Sequence, residues 1–146
     1  MVKSYSIAVV GATGLVGQTM LKVLAERKFP LSKLYLVASD RSTGKVVNFS
    51  GQPIQLIAMK ELLSLKPDIA LFSAGSSVSI EWAPKLVSQG TVVIDNSSAW
   101  RMDENVPLVV PEINAYHIHA DHYIIANPNC STIQLLMALA PLHKRF

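Results

Sequence analysis

Apolar residues in this chain recur in two rhythms, and their alternation predicts the architecture. Residues 5–10 form a short β-branched run that reads as a buried strand. It leads into Gly11-Ala12-Thr13-Gly14-Leu15-Val16-Gly17, after which Val16, Met20, Val23 and Leu24 recur at helical spacing, with Pro30 beyond the helix end. Residues 33–38 predict a second strand, and 46–57 a hairpin turning at Ser50-Gly51. Residues 59–65 predict a short helix closed by Pro67. Strands follow at 68–73 and 91–94, with a helix over 80–89 between them that ends at Gly90. Residues 95–121 read as irregular, 123–126 as another strand, and Ser131 onward as a strongly apolar helix. Strands alternating with helices give a parallel sheet covered on both faces.

Composition narrows the class. Half of the 146 residues are hydrophobic and 16% are charged, which suits one compact domain and excludes disorder. No apolar run approaches the roughly 18 residues of a membrane span. Residues 1–6 lack the apolar stretch of a secretion signal, so the expected location is cytoplasmic. The net charge of +3 comes without a Lys/Arg block, so no nucleic-acid partner is expected. One cysteine permits neither an internal disulfide nor a Cys-based zinc cluster. His117, His119 and His122 lie close in sequence, but in no regular element, and no metal is assigned to them. The terminal helix is too apolar to stand free, so the chain is expected to be part of a longer protein.

Chemistry concentrates in three places. Gly11, Gly14 and Gly17 stand between a strand and a helix, the context in which such spacing indicates a dinucleotide. The first permits a sharp turn, the second a close approach to pyrophosphate, the third close packing of helix on strand. Past the second strand, Asp40 is placed to hold a ribose 2′-hydroxyl, as in NAD sites. Arg41, with Ser39, Ser42 and Thr43, is placed instead to hold the 2′-phosphate of NADP. Both readings stay open on local chemistry, with the donors favouring NADP. Cys130, in Asn127-Pro128-Asn129-Cys130-Ser131-Thr132, opens a helix whose N-terminal field stabilises thiolate over thiol. It is either a nucleophile or a packed, inert thiol. Asn129 is a candidate oxyanion donor, and Ser131 or Thr132 a candidate helix cap. Arg101, in a polar turn after a strand end, is either an anion ligand or a surface ion-pair partner.

Five segments together resemble aspartate-β-semialdehyde dehydrogenase across essentially the whole chain. They are Gly-Ala-Thr-Gly-Leu-Val-Gly at 11–17, Phe-Ser-Ala-Gly-Ser-Ser-Val-Ser at 72–79, Val-Ile-Asp-Asn-Ser-Ser-Ala-Trp-Arg-Met at 93–102, Pro-Leu-Val-Val-Pro-Glu-Ile-Asn at 107–114 and Asn-Pro-Asn-Cys-Ser-Thr at 127–132. The resemblance implies a Rossmann-type, doubly wound, mainly parallel sheet with helices on both faces. It implies a dinucleotide-binding domain at residues 1–130, and at 131–146 the start of a helix leading to a catalytic and dimerisation domain outside this chain. Gly11, Thr13, Gly14, Leu15, Val16 and Gly17 would contact the cofactor, with Ser39, Arg41 and Ser42 at the 2′-phosphate of NADP and Gly75 and Ser76 lining the cleft. Asn96 and Arg101 would hold substrate and its phosphate, and Cys130, beside Asn129, would form an acyl-thioester.

The implied reaction is NADP-dependent reductive dephosphorylation of aspartyl phosphate to aspartate semialdehyde, and its reverse, in lysine, methionine and threonine synthesis. A homo-oligomer, dimeric or tetrameric, is implied for the full-length enzyme, as is a catalytic histidine beyond residue 146. Ser76 departs from the family pattern, where a second glycine often follows Gly75. The alternatives are the related N-acetylglutamyl-phosphate reductase and a non-catalytic dinucleotide-binding paralogue.

Overall fold

A computed structural model describes residues 3–146; Met1 and Val2, the start of the segment read as lacking a leader, lie outside the described residues. Seven strands form one sheet in the order β3-β4-β2-β1-β5-β6-β7. The strands are β1 (Tyr5–Val10), β2 (Leu31–Val37), β3 (Val46–Phe49), β4 (Gln52–Ile57), β5 (Ile69–Phe72), β6 (Val92–Asp95) and β7 (Ile124–Ala126). All neighbours run parallel except the β3–β4 hairpin. That hairpin turns at Ser50 and Gly51, whose φ angles of 51° and 86° are the paired positive values of a tight two-residue turn. The expected doubly wound α/β sheet is therefore the observed one. Among the described residues no helix is long and apolar enough to cross a membrane.

Helices α1 (Leu15–Glu26), α2 (Met59–Leu65), α3 (Ser76–Val87), α4 (Pro111–Asn114) and α5 (Cys130–Arg145) complete the chain. One face of the sheet packs Ala8, Val10, Ala70, Phe72 and Val93 against Leu62 of α2 and Ala83 and Leu86 of α3. The other packs Ile7, Val9, Leu36 and Leu56 against Leu21 and Leu24 of α1. Alternate residues of β1 thus enter opposite cores, as a strand period of two requires.

Three expectations need correction here. Helix α1 buries Gly17, Leu21 and Leu24, whereas Val16 and Val23 are 43% and 39% exposed. Of the expected face, Leu24 is buried and Met20 packs against the core, while Val16 and Val23 border a shallow apolar groove with Leu71. Gly17 sets the rotation: its missing side chain lets that face of α1 lie against the β1 turn, which swings Leu21 inward. Helix α3 begins at Ser76, four residues before the apolar periodicity suggested, because Gly75 at φ 92° makes the reversal from which the helix starts. The stretch 95–121 also contains α4 and a 3₁₀ turn at Ala115–His117. Asn114 organises it, accepting from Val110 N–H (2.8 Å) and donating to the Leu108 carbonyl (2.9 Å). Helix α5 buries none of its residues, and Leu135, Met137, Leu139 and Leu142 are exposed along it.

At the amino ends of β1 and β5, the Asp68 carboxylate accepts from Ser6 N–H and Oγ, both at 2.7 Å. The Ser6 hydroxyl, then the Ser6 backbone N–H, hold the Asp68 carboxyl below its ordinary value; slight desolvation opposes them and Lys3 assists. A depressed folded value means that this contribution is present above the unfolded carboxyl range and is lost as pH falls through the folded one. Asp68→Ala should therefore melt below wild type at neutral pH, and the gap should close on the acid limb. A gap in melting temperature that does not change with pH would show that the carboxylate's charge plays no part.

Candidate functional site

Strand register builds the site. Val37 pairs with Val10, Val10 with Phe72, Phe72 with Asp95 and Asp95 with Ala126, so five parallel strands end in one row. The loops leaving that row carry the glycine turn, the Ser39–Ser42 turn, Gly75-Ser76, Asn96 to Arg101, and Asn127 to Cys130. With adjacent strands about 4.8 Å apart, roughly 14 Å separates the β1 loop from the β7 loop across the sheet. Ligands of open α/β sheets bind along this carboxyl edge.

The glycine turn has the steric logic of a phosphate cradle. Gly11, at φ 88°, would place a Cβ 2.8 Å from the Ser73 carbonyl oxygen, and a Cβ on Gly17 would fall on the Gly11 carbonyl. Gly14 caps α1 without a side-chain bond to the first turn, and that turn carries no acidic residue. The N–H groups of the first turn have no partner within the helix. Backbone donors and a helix terminus therefore face the open edge, the arrangement that receives an anion. A cleft of about 310 Å³ opens there, lined by Gly11, Thr13, Gly14, Ser39, Ser73 and Ala74, among others. It runs on past Ala38, Ser39, Met59 and Val78 into a second cleft of about 300 Å³, bounded by Asp40, Lys60 and Trp82. Leu15 and Val16 sit exposed at the cradle's helix start. Ser39 folds the adjoining loop, its carbonyl accepting from Ser42 N–H (2.8 Å) and Thr43 N–H (3.1 Å). Arg41 is exposed on that turn and, like Asp40, makes no ion pair among the described residues.

The other end of the row is a polar network. Asn127 donates to the side-chain oxygen of Asn96 (2.7 Å), and Asn127 N–H to the Asp95 carbonyl (2.8 Å). Arg101 binds the Asn127 carbonyl through Nε and the Asn96 carbonyl through an Nη, both at 3.0 Å. Its guanidinium thus straps the ends of β6 and β7 together. Of its five N–H donors two are engaged, and three remain for an anion. The surface ion-pair reading of Arg101 does not describe this side chain, which is part-buried and, among the described residues, pairs with no carboxylate. Buried Asp95 orders the following turn by accepting from Ser97 Oγ (2.5 Å) and Ser97 N–H (3.2 Å). Ser76 Oγ meets Ser98 Oγ at 3.1 Å, joining the start of α3 to that turn. The serine in place of the family glycine therefore has a partner.

Cys130 is the first residue of α5 and is exposed, so it does not pack the core of this chain. The cap is Asn129, whose side-chain oxygen accepts from Ser131 N–H (2.9 Å); neither Ser131 nor Thr132 serves. That bond fixes Asn129 beside the thiol through its acceptor oxygen, while its amide nitrogen has no partner among the described residues. His143 lies thirteen residues along the same helix, about 20 Å away. No group of three or more His, Cys, Asp or Glu side chains converges as a metal site among the described residues. His119 and His122 do face each other, their rings 5.3 Å apart.

Asn127, Ser98 and Lys60 had no assigned role in the sequence reading. The Asn-Pro-Asn-Cys segment drew attention to its cysteine. Only the β6–β7 register reveals that Asn127 faces Asn96, 31 positions away.

Known proteins resemble this chain throughout. A family model described as semialdehyde dehydrogenase, NAD binding domain, matches residues 6–121. An aspartate-semialdehyde dehydrogenase of Aquifex aeolicus is 57% identical over 144 residues, which are 97% of this chain and 42% of that protein. The crystal structure of aspartate semialdehyde dehydrogenase II from Vibrio cholerae, complexed with ASA, superposes with a TM-score of 0.92 at 49% identity, covering 97% of this chain and 47% of that one. The crystal structure of aspartate semialdehyde dehydrogenase with NADP from Candida albicans gives 0.81 at 29% identity, again covering 97% and 47%. The chain spans less than half the length of each of these proteins.

Proposed function

Because this chain belongs to the semialdehyde dehydrogenase family, as its NAD-binding domain, we propose that it is the cofactor-binding portion of an NADP-dependent aspartate-semialdehyde dehydrogenase. The proposed reaction is the reductive dephosphorylation of aspartyl phosphate, and its reverse, serving lysine, methionine and threonine synthesis. The observation that carries the reading is the single row of strand ends, with the glycine cradle at β1 and an exposed helix-opening thiol at β7. In this scheme residues 1–130 are the dinucleotide unit and 131–146 begin the helix toward a second domain.

The cradle suits a dinucleotide on its own geometry. Gly17 brings α1 onto the turn, and the N–H groups of Leu15, Val16 and Gly17 are free to meet a pyrophosphate. Thr13 and Gly14 line the cleft beside it. Ser39, Arg41 and Ser42 take the 2′-phosphate end, and Gly75 and Ser76 the end nearer Cys130. When bound, the cofactor supplies the hydride that turns an acyl group into an aldehyde.

The chain's own residues supply the acyl chemistry. The Cys130 sulfur attacks the acyl carbon of aspartyl phosphate, a C–S bond forms, and the bond to the phosphate oxygen breaks. Phosphate leaves toward the three unengaged N–H donors of Arg101. Asn129, fixed by its cap bond, offers its amide N–H to the oxygen that gains charge. Asn96, held by Asn127, lines the substrate side.

Cofactor preference tests the assignment of the 2′-phosphate end. NADPH should bind this chain about ten-fold more tightly than NADH, a difference of roughly 1.4 kcal/mol. Arg41→Ala should reduce that preference. Equal or tighter binding of NADH by the unaltered chain, measured by calorimetric titration, would transfer the ribose to Asp40 and make this an NAD site.

A further inference from the structure

Lys60 has no place in the scheme above, yet it stands on the wall of the dinucleotide cleft. It is the second residue of α2, and it bounds the same space as Ser39, Asp40 and Trp82. That space is continuous with the glycine cradle through Ala38, Ser39, Met59 and Val78. An extended dinucleotide whose pyrophosphate lies on the α1 start therefore projects its adenosine end toward Lys60.

Charge makes the position informative. Among the described residues the ion pairs join Lys22 to Glu26 and Lys85 to Glu81. Lys85 is engaged twice, since its ammonium also lies 4.1 Å from the Trp82 ring centre. Lys60 pairs with neither Asp40, which shares its cleft, nor Glu61, whose carboxylate accepts from Ala58 N–H at 3.1 Å. The cleft thus holds one carboxylate and one unpaired ammonium. Asp40 would repel a 2′-phosphate dianion, and Arg41 does not line the cleft at all. A lone cation on the outer turn would act against that repulsion across solvent, where charges interact weakly.

We propose that Lys60 is a second cation for the 2′-phosphate of the bound dinucleotide, set on the α2 wall across from the Ser39–Ser42 turn. Its charge offsets Asp40 and lets a cleft that contains an acid prefer NADP. Lys60 is then a specificity-determining residue, contributing to one end of the cofactor and nothing to the acyl chemistry. The proposal rests on the dinucleotide reading given above.

Two fragments of the cofactor separate the two ideas. Adenosine 2′,5′-bisphosphate carries the 2′-phosphate, and adenosine 5′-monophosphate lacks it; both can be titrated into the 146-residue chain by calorimetry. Lys60→Gln should weaken the bisphosphate about ten-fold and leave the monophosphate within two-fold. Lys60→Arg should restore the bisphosphate, because either cation can donate to phosphate. The salt dependence of bisphosphate binding should also become shallower in Lys60→Gln, since one phosphate-facing charge is lost. Lys60 is exposed, so neither change threatens the fold. Equal weakening of both nucleotides, or no change in either, would overturn the proposal while leaving the dinucleotide site intact. If the unaltered chain bound neither nucleotide, the dinucleotide reading itself would fall, and this proposal with it.

Discussion

Gly17→Ala should destabilise the chain by about 3 kcal/mol, near the upper end for overpacking a close contact. The new methyl would fall on the Gly11 carbonyl and within 2.9 Å of the Ala12 Cα. Both are backbone atoms of the turn leaving β1, so no side chain can swing aside. Relief requires α1 to lift from the sheet, which opens the Leu21 and Leu24 packing on β1 and β2. For a domain of this size the melting temperature should fall by roughly 10 °C. Gly14→Ala is the informative companion. Its Cβ would lie 3.4 Å from the Gly11 carbonyl, a tight but tolerable contact, and Gly14 has no positive φ. That variant should melt close to wild type yet bind NADPH at least ten-fold more weakly, because the methyl would stand where the proposed site receives the pyrophosphate. Thermal melts and NADPH titrations on both variants check the pair. If Gly17→Ala melted like wild type, the helix–turn contact would not be the constraint described.

The second large effect concerns Cys130→Ser. Because Cys130 is exposed, the substitution should leave the melting temperature within about 1 °C, as surface changes generally do. Covalent capture should change by orders of magnitude. Incubated with aspartyl phosphate, the unaltered protein should gain an acyl group at position 130, removable by hydroxylamine. The serine variant should lose this by at least about 10³-fold, since a serine hydroxyl is a far weaker nucleophile than a cysteine thiolate at neutral pH. Iodoacetamide supplies the control for the thiol alone, with peptide mass spectrometry to locate each adduct. Acylation that persisted in the serine variant would remove Cys130 from the mechanism. A thiol that met iodoacetamide but never aspartyl phosphate would point to a site that binds a different acyl donor.

The residues of this chain determined, without any coordinates, those features that depend on neighbours in sequence. β1 and α2 have the predicted limits, and the hairpin turns at Ser50-Gly51, because local apolar rhythm and turn chemistry decide such elements. The doubly wound parallel sheet followed from alternation of strands and helices, and the glycine spacing marked the tight turn between β1 and α1. Cys130 was visible as a residue at a strand–helix junction. The tertiary structure decided which residues meet across the sheet. Asn127 finds Asn96, Arg101 straps both strand ends, and Lys60 enters the Asp40 cleft only because register aligns distant loops in one row. It also decided the rotation of α1, where helical spacing selected Val16 and Val23 but close contact at Gly17 turned Leu21 inward. In the same way it made Asn129, not Ser131 or Thr132, the cap of α5. Periodicity reports how often a face recurs; which face is buried depends on the shape of what it must pack against.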